Sequence, residues 1–106
     1  MLLKGKIAII TGASRGIGES IAKSFISQGA IVAFTYRSSE EKAKELEKSL
    51  TANGGTAKGF KSDASKMEDA ENLVKEVLEA YGGIDIVVNN AGITDDTLLM
   101  RMSEDQ

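Results

Sequence analysis

The residues of this sequence best suited to chemistry by type and spacing are Thr11-Gly12-Ala13-Ser14-Arg15-Gly16-Ile17-Gly18, directly after the apolar run Ile7-Ala8-Ile9-Ile10. Glycine takes backbone angles closed to other residues and lets a ligand come close to the main chain. A glycine turn that opens a helix offers free N–H groups and the positive end of the helix dipole to an anion. The spacing Gly12-x3-Gly16-x-Gly18 at a strand-to-helix junction therefore predicts a site for a dinucleotide pyrophosphate.

A second group of residues decides which dinucleotide. The ribose is read roughly 20 residues beyond the glycine turn, where an acid accepts from the adenosine 2′-hydroxyl and repels a 2′-phosphate. Here the chain reads Tyr36-Arg37-Ser38-Ser39, with no acid before Glu40. Arg37 offers a planar, charged fork to a phosphate, and Ser38 a hydroxyl. Arg15 adds a second cation on the same side of the crevice. A well-formed hydrogen bond to a charged group contributes roughly 1.5–3 kcal/mol, so two of them favour NADP(H) over NAD(H) by orders of magnitude. Asp63 can accept from an adenine amino group at the crevice; it suits a turn before a helix start equally well, and composition does not choose.

The rest of the inventory narrows the chemistry by what it lacks. The sequence holds no cysteine and no histidine, which removes disulfides, thiolate and imidazole metal sites, cysteine nucleophiles and the Ser-His-Asp triad. No metal-binding residues are expected. Among tyrosines there are only Tyr36 and Tyr81.

These residues need elements to position them, and strand and helix patterns alternate along the whole chain. Strands are expected over Lys6–Ile10, Ile31–Tyr36, Thr56–Lys61 and Ile84–Val88. Between them, Ile17, Ile21, Ala22, Phe25 and Ile26 share one helical face that ends at Gly29. Ser38 with Glu41 predicts a capping box for a second helix, whose inward face is Ala43, Leu46 and Leu50. Its other face (Glu40, Lys42, Lys44, Glu45, Glu47 and Lys48) reads as solvated. Asn53-Gly54-Gly55 stops it. Ser65 with Glu68 predicts a third capped helix, burying Ala70, Leu73, Val74, Val77 and Tyr81 and ending at Gly82-Gly83.

The alternation predicts an α/β fold: a Rossmann doubly wound parallel sheet in a three-layer αβα sandwich, strand order 3-2-1-4. The order reverses beside strand 1, so a crevice opens at the carboxyl ends of strands 1 and 4, where the glycine turn lies. At 106 residues there is room for one domain at most. A net charge of −3 provides no basic field for nucleic acid or an anionic membrane. No apolar stretch approaches the roughly 20 residues needed to span a bilayer, and Met1-Leu2-Leu3-Lys4 opens no signal peptide, so a cytoplasmic location is expected. Ser103-Glu104-Asp105-Gln106 has the form of a capping box. Residues 1–106 are therefore expected to be the first, NADP(H)-binding part of a single domain that continues beyond them into a catalytic half.

Asn89-Asn90-Ala91-Gly92 closes the fourth strand across the same crevice. Together with Thr11–Gly18 it makes the chain resemble the short-chain dehydrogenase/reductase family, with its Thr-Gly-x3-Gly-x-Gly and Asn-Asn-Ala-Gly motifs, over the whole length. The stretch Gly92–Met102 is similar to the segment after strand 4 in the 3-oxoacyl-[acyl-carrier-protein] reductases of fatty acid biosynthesis, apart from Asp95, where relatives often carry a basic or neutral residue. The resemblance implies that Gly12, Ser14, Arg15 and Ile17 surround the pyrophosphate and adenosine ribose. Arg37 and Ser38 match the 2′-phosphate region, Asp63 and Ala64 the adenine contact. Asn90, Ala91 and Gly92 match the segment beside the nicotinamide ribose.

The family's catalytic Tyr-x-x-x-Lys pair, serine and further asparagine have no counterparts. Tyr36 is followed four positions on by Glu40, and Tyr81 by Asp85. No catalytic residue is nominated, and the 106 residues alone are expected to be inactive. The resemblance implies that the parent protein is an NADPH-dependent oxidoreductase that reduces a 3-oxoacyl thioester on acyl carrier protein or CoA to the 3-hydroxyacyl product. It implies a homotetramer for that parent. The alternatives are another reductase of the family, acting on an acyl-CoA, a polyketide or a small alcohol, and a non-catalytic NADP(H)-binding module.

Overall fold

The structure is a computed structural model that describes residues 2–12, 16–38, 40–52, 54–63 and 66–89. Strand and helix alternate as β1 (Ile7–Thr11), α1 (Gly16–Ser27), β2 (Ile31–Tyr36), α2 (Glu40–Thr51), β3 (Thr56–Lys61), α3 (Met67–Tyr81) and β4 (Ile86–Asn89). All strand pairs are parallel, in the order β3-β2-β1-β4. The period-2 alternation of the strands sorts their side chains onto two faces. Ile10, Val32, Phe34 and Ala57 pack with Ala22 of α1 and with Ala43, Leu46 and Leu50 of α2. Ile7, Ile9, Ala33 and Phe60 pack on the opposite face with Ala70, Leu73, Val74 and Val77 of α3. The expected three layers and strand order are those observed.

Local differences from the sequence reading have physical causes. The first strand runs one residue further, to Thr11, because β1 keeps pairing with β4 there. The fourth begins at Ile86, since Asp85 acts as a clamp instead: its carboxylate accepts from Ile7 N–H at 2.8 Å and its own N–H donates to the Ile7 carbonyl at 2.8 Å. The Ser65–Glu68 capping box is not the start of α3. A turn closed by Lys66 N–H to the Asp63 carbonyl (2.9 Å) places Lys66 at the N-cap, without a side-chain cap. The reaching carboxylate is that of Asp69, which accepts from Asp63 N–H at 2.7 Å. α2 begins at Glu40, so its cap position falls on Ser39, outside the described residues. Gly82 ends α3 as expected, left-handed at φ 83° with its N–H on the Leu78 carbonyl.

Glu47 is not simply a solvated residue. Its carboxylate accepts from the N–H of Gly59 at 3.1 Å, covering a donor on the open edge of β3. Tyr81, half-buried beside the α3 cluster, has its phenol pKa raised above the ordinary 10.0 by burial and then by the negative charge of Glu47. A raised value means that the folded chain holds this proton more tightly than the unfolded chain does. The contribution is therefore complete below pH 10.0 and is lost as pH rises through the folded value. Urea titrations above pH 10 are expected to show a decline in stability that Tyr81→Phe makes shallower.

Candidate functional site

Gly12, Arg37, Ser38 and Asp63, among the residues that the sequence singles out, lie just beyond the carboxyl ends of β1, β2 and β3. β1 ends at Thr11, and Gly12 follows at φ 65°, a left-handed angle that strains any side chain. Gly16, at φ 62°, opens α1 four residues later, and the first turn of that helix carries the positive end of its dipole. Ile17 was expected on the inward face of α1; it is 74% exposed, while Gly18 and Ala22 are buried. Its exposure at the first turn leaves an apolar side chain open to a ligand rather than to the core.

Arg37 and Ser38 follow directly on β2, both exposed. Arg37 Nε lies 3.7 Å from Oδ2 of Asp63, which follows β3 by two residues and is itself mostly buried. The β2–β3 register, Tyr36 opposite Lys61 and extended by Ser62 N–H to the Tyr36 carbonyl (2.9 Å), brings these two side chains together. The arginine side chain is 79% exposed, so the pair contributes little to stability and leaves most of the guanidinium open. Asp69, holding the Asp63 N–H, fixes the turn that presents this carboxylate. Of the other expected contacts, Ser14, Arg15, Ala64, Asn90, Ala91 and Gly92 lie outside the described residues.

Sequence reasoning did not nominate Thr35. Its hydroxyl, 3% exposed, accepts from Gly12 N–H at 2.9 Å. Thr11 Oγ1 makes a longer bond of 3.4 Å to the Val88 carbonyl, joining the ends of β1 and β4. A cleft of about 650 Å³ at the other end of the sheet, lined by Lys4, Lys23, Ser27, Leu50 and Gly55 among others, receives the carboxyl ends of α1 and α2. Helix carbonyl ends disfavour anions, so this cleft is poorly suited to a phosphate. Tyr81 closes α3 at that same far end, away from the glycine turn, and its pKa is raised rather than lowered. Both facts separate it from a catalytic proton donor at the crevice. Among the described residues there is no cluster of acids suited to a metal ion, and no helix is long and apolar enough to cross a membrane.

The short chain dehydrogenase family model matches residues 6–106. The chain belongs to that family. Among curated proteins, this short-chain dehydrogenase sequence is 42% identical over 101 residues to the 3-oxoacyl-[acyl-carrier-protein] reductase FabG of Staphylococcus epidermidis, covering 95% of the chain and 41% of the relative. It is 44% identical over 106 residues to the FabG of Salmonella typhimurium, covering 100% of the chain and 42% of the relative. The chain thus spans about two fifths of the length of these relatives.

Solved structures agree on the fold. A short-chain dehydrogenase/reductase from Serratia marcescens superposes with a TM-score of 0.82 at 32% identity, covering 97% of this chain and 46% of its own. A metagenomic short-chain oxidoreductase solved in complex with NADP superposes with a TM-score of 0.81 at 41% identity, covering 88% of this chain and 42% of its own.

Proposed function

We propose that this short-chain dehydrogenase chain binds NADP(H) and forms the cofactor-binding part of a 3-oxoacyl-thioester reductase. The observation that carries the cofactor reading is the end of β2, where exposed Arg37 and Ser38 stand in place of an acid and, among the described residues, a long ion pair with Asp63 is the arginine's one salt bridge. A dianionic 2′-phosphate offers that guanidinium a stronger partner than a single carboxylate does. The residues present fit the group: a left-handed glycine at the end of β1, a helix start at Gly16 and an exposed Ile17 border the place where a pyrophosphate and ribose would lie. When bound, NADPH supplies the hydride for reduction of a keto group.

The residues of this chain bind and orient. Gly12, Ser14, Arg15 and Ile17 are proposed to hold the pyrophosphate and adenosine ribose, and Arg37 and Ser38 the 2′-phosphate. Asp63 and Ala64 would meet the adenine, with Asn90, Ala91 and Gly92 beside the nicotinamide ribose. The substrate class, a 3-oxoacyl group carried on acyl carrier protein or CoA, rests on the similarity to the two FabG reductases. A homotetramer for the whole protein rests on the family likeness alone. Neither Tyr36 nor Tyr81 has a lysine four positions on, and no residue of this chain is proposed as the proton donor to the nascent alkoxide.

The test is an assay of the full-length protein with NADPH and an acetoacetyl thioester, following NADPH absorbance and product together. Oxidation of one NADPH per 3-hydroxyacyl product is expected. A protein that binds NADPH but reduces no 3-oxoacyl thioester would overturn the substrate assignment, and one that prefers NADH would overturn the cofactor assignment.

A further inference from the structure

Burying a hydroxyl costs free energy unless it is hydrogen-bonded, so the places where a core tolerates one are informative. Among the described residues, the buried polar side chains are Thr11, Thr35 and Ser62. All three lie at the carboxyl ends of β1, β2 and β3, the edge that carries the glycine turn. Thr35 is the most telling of them. The β1–β2 ladder ends with Ile10 opposite Phe34, and beyond it Gly12 N–H donates to the Thr35 hydroxyl oxygen at 2.9 Å. That bond fastens the glycine after β1 to β2 beyond the end of their ladder.

We propose that Thr35 is a positioning residue for the cofactor site, setting the orientation of the Gly12 peptide through its hydroxyl. The proposal rests on the NADP(H) reading above and adds a residue that touches no cofactor itself. An amide fixed by a buried acceptor at 2.9 Å cannot turn freely, so the glycine that must sit at φ 65° is held there before any ligand arrives. Valine at position 35 keeps the shape of threonine but removes the acceptor. Serine keeps the acceptor and removes only the methyl group.

The test compares Thr35→Val and Thr35→Ser with the unsubstituted full chain, by NADPH titration and by amide hydrogen exchange at Gly12. Thr35→Val is expected to weaken NADPH binding by about tenfold, the scale of one hydrogen bond, with Thr35→Ser staying within about threefold. The Gly12 amide is expected to exchange slowly in the unsubstituted and serine chains and rapidly in the valine chain. A role in packing alone would not be rescued by serine in this way. Unchanged NADPH affinity in a folded Thr35→Val chain would overturn the proposal. So would a Gly12 amide that already exchanges at the unfolded rate in the unsubstituted chain, a result that does not depend on the valine variant folding. Failure of the unsubstituted chain to bind NADPH would instead overturn the cofactor reading, and the exchange data would still decide the anchor.

Discussion

Replacing Arg37 with alanine is expected to weaken NADPH binding by about 10- to 100-fold while NADH affinity stays within about twofold. The asymmetry follows from where the side chain stands. Arg37 is largely exposed at the end of β2, and its one described ion pair, with Asp63, is long at 3.7 Å. Losing that pair costs the fold little, because an exposed ion pair is screened by water and salt. A guanidinium closing on a 2′-phosphate forms charge-assisted bonds that no NADH molecule can offer. Melting temperatures of the two chains should therefore agree while their NADPH titrations separate. Raising the ionic strength should narrow the gap between the nucleotides in the unsubstituted chain.

The largest effect on stability is expected at a glycine remote from the cofactor. Gly55→Ala should lower stability by about 2 kcal/mol and the melting temperature by roughly 10 °C, read by thermal denaturation. A methyl group there would overlap the Leu50 carbonyl oxygen and approach Cγ2 of Ile26 to 2.7 Å. Leu50 is in the last turn of α2 and Ile26 in the last turn of α1, so neither helix can yield without disturbing the packing of both on the sheet. Gly54→Ala is the informative comparison. Gly54 has φ 88° but nothing within 4 Å of its missing Cβ, so the substitution carries only the backbone strain, about 1 kcal/mol. A Gly55→Ala chain no less stable than Gly54→Ala would mean that the α2–β3 connection is looser than the packing indicates.

The architecture was readable from the sequence because each strand is a short apolar run and each helix an amphipathic one. Ile7–Ile10 and Ile31–Tyr36 are too apolar to face water on either side, which calls for helices on both faces of a parallel sheet. Ala43, Leu46 and Leu50, and likewise Ala70, Leu73, Val74 and Val77, show their buried faces by spacing alone. Element ends were less legible. The Ser65–Glu68 pattern matches a capping box, but a turn from Asp63 to Lys66 shifts the helix start and gives the reaching role to Asp69.

Relations between distant residues were the least legible. Arg37 and Asp63 read as two separate contacts, for phosphate and for adenine, and only the β2–β3 register makes them neighbours. Thr35 drew no notice because threonine is common in strands for its β-branched shape, which conceals a hydroxyl at work. Its bond to Gly12 depends on where the β1–β2 ladder stops, which no local pattern reports. Glu47 looked like one charge among several on a solvated face, and it is the alignment of α2 with the edge of β3 that brings it to Gly59.

The central claim is that this edge of the sheet is built for a dinucleotide carrying a 2′-phosphate. Calorimetric titration of the unsubstituted chain with NADPH and with NADH, in one buffer at one ionic strength, tests it most directly. NADPH binding at least about tenfold tighter than NADH is the expected result. NADH binding as tightly as NADPH, or no binding of either, would contradict it.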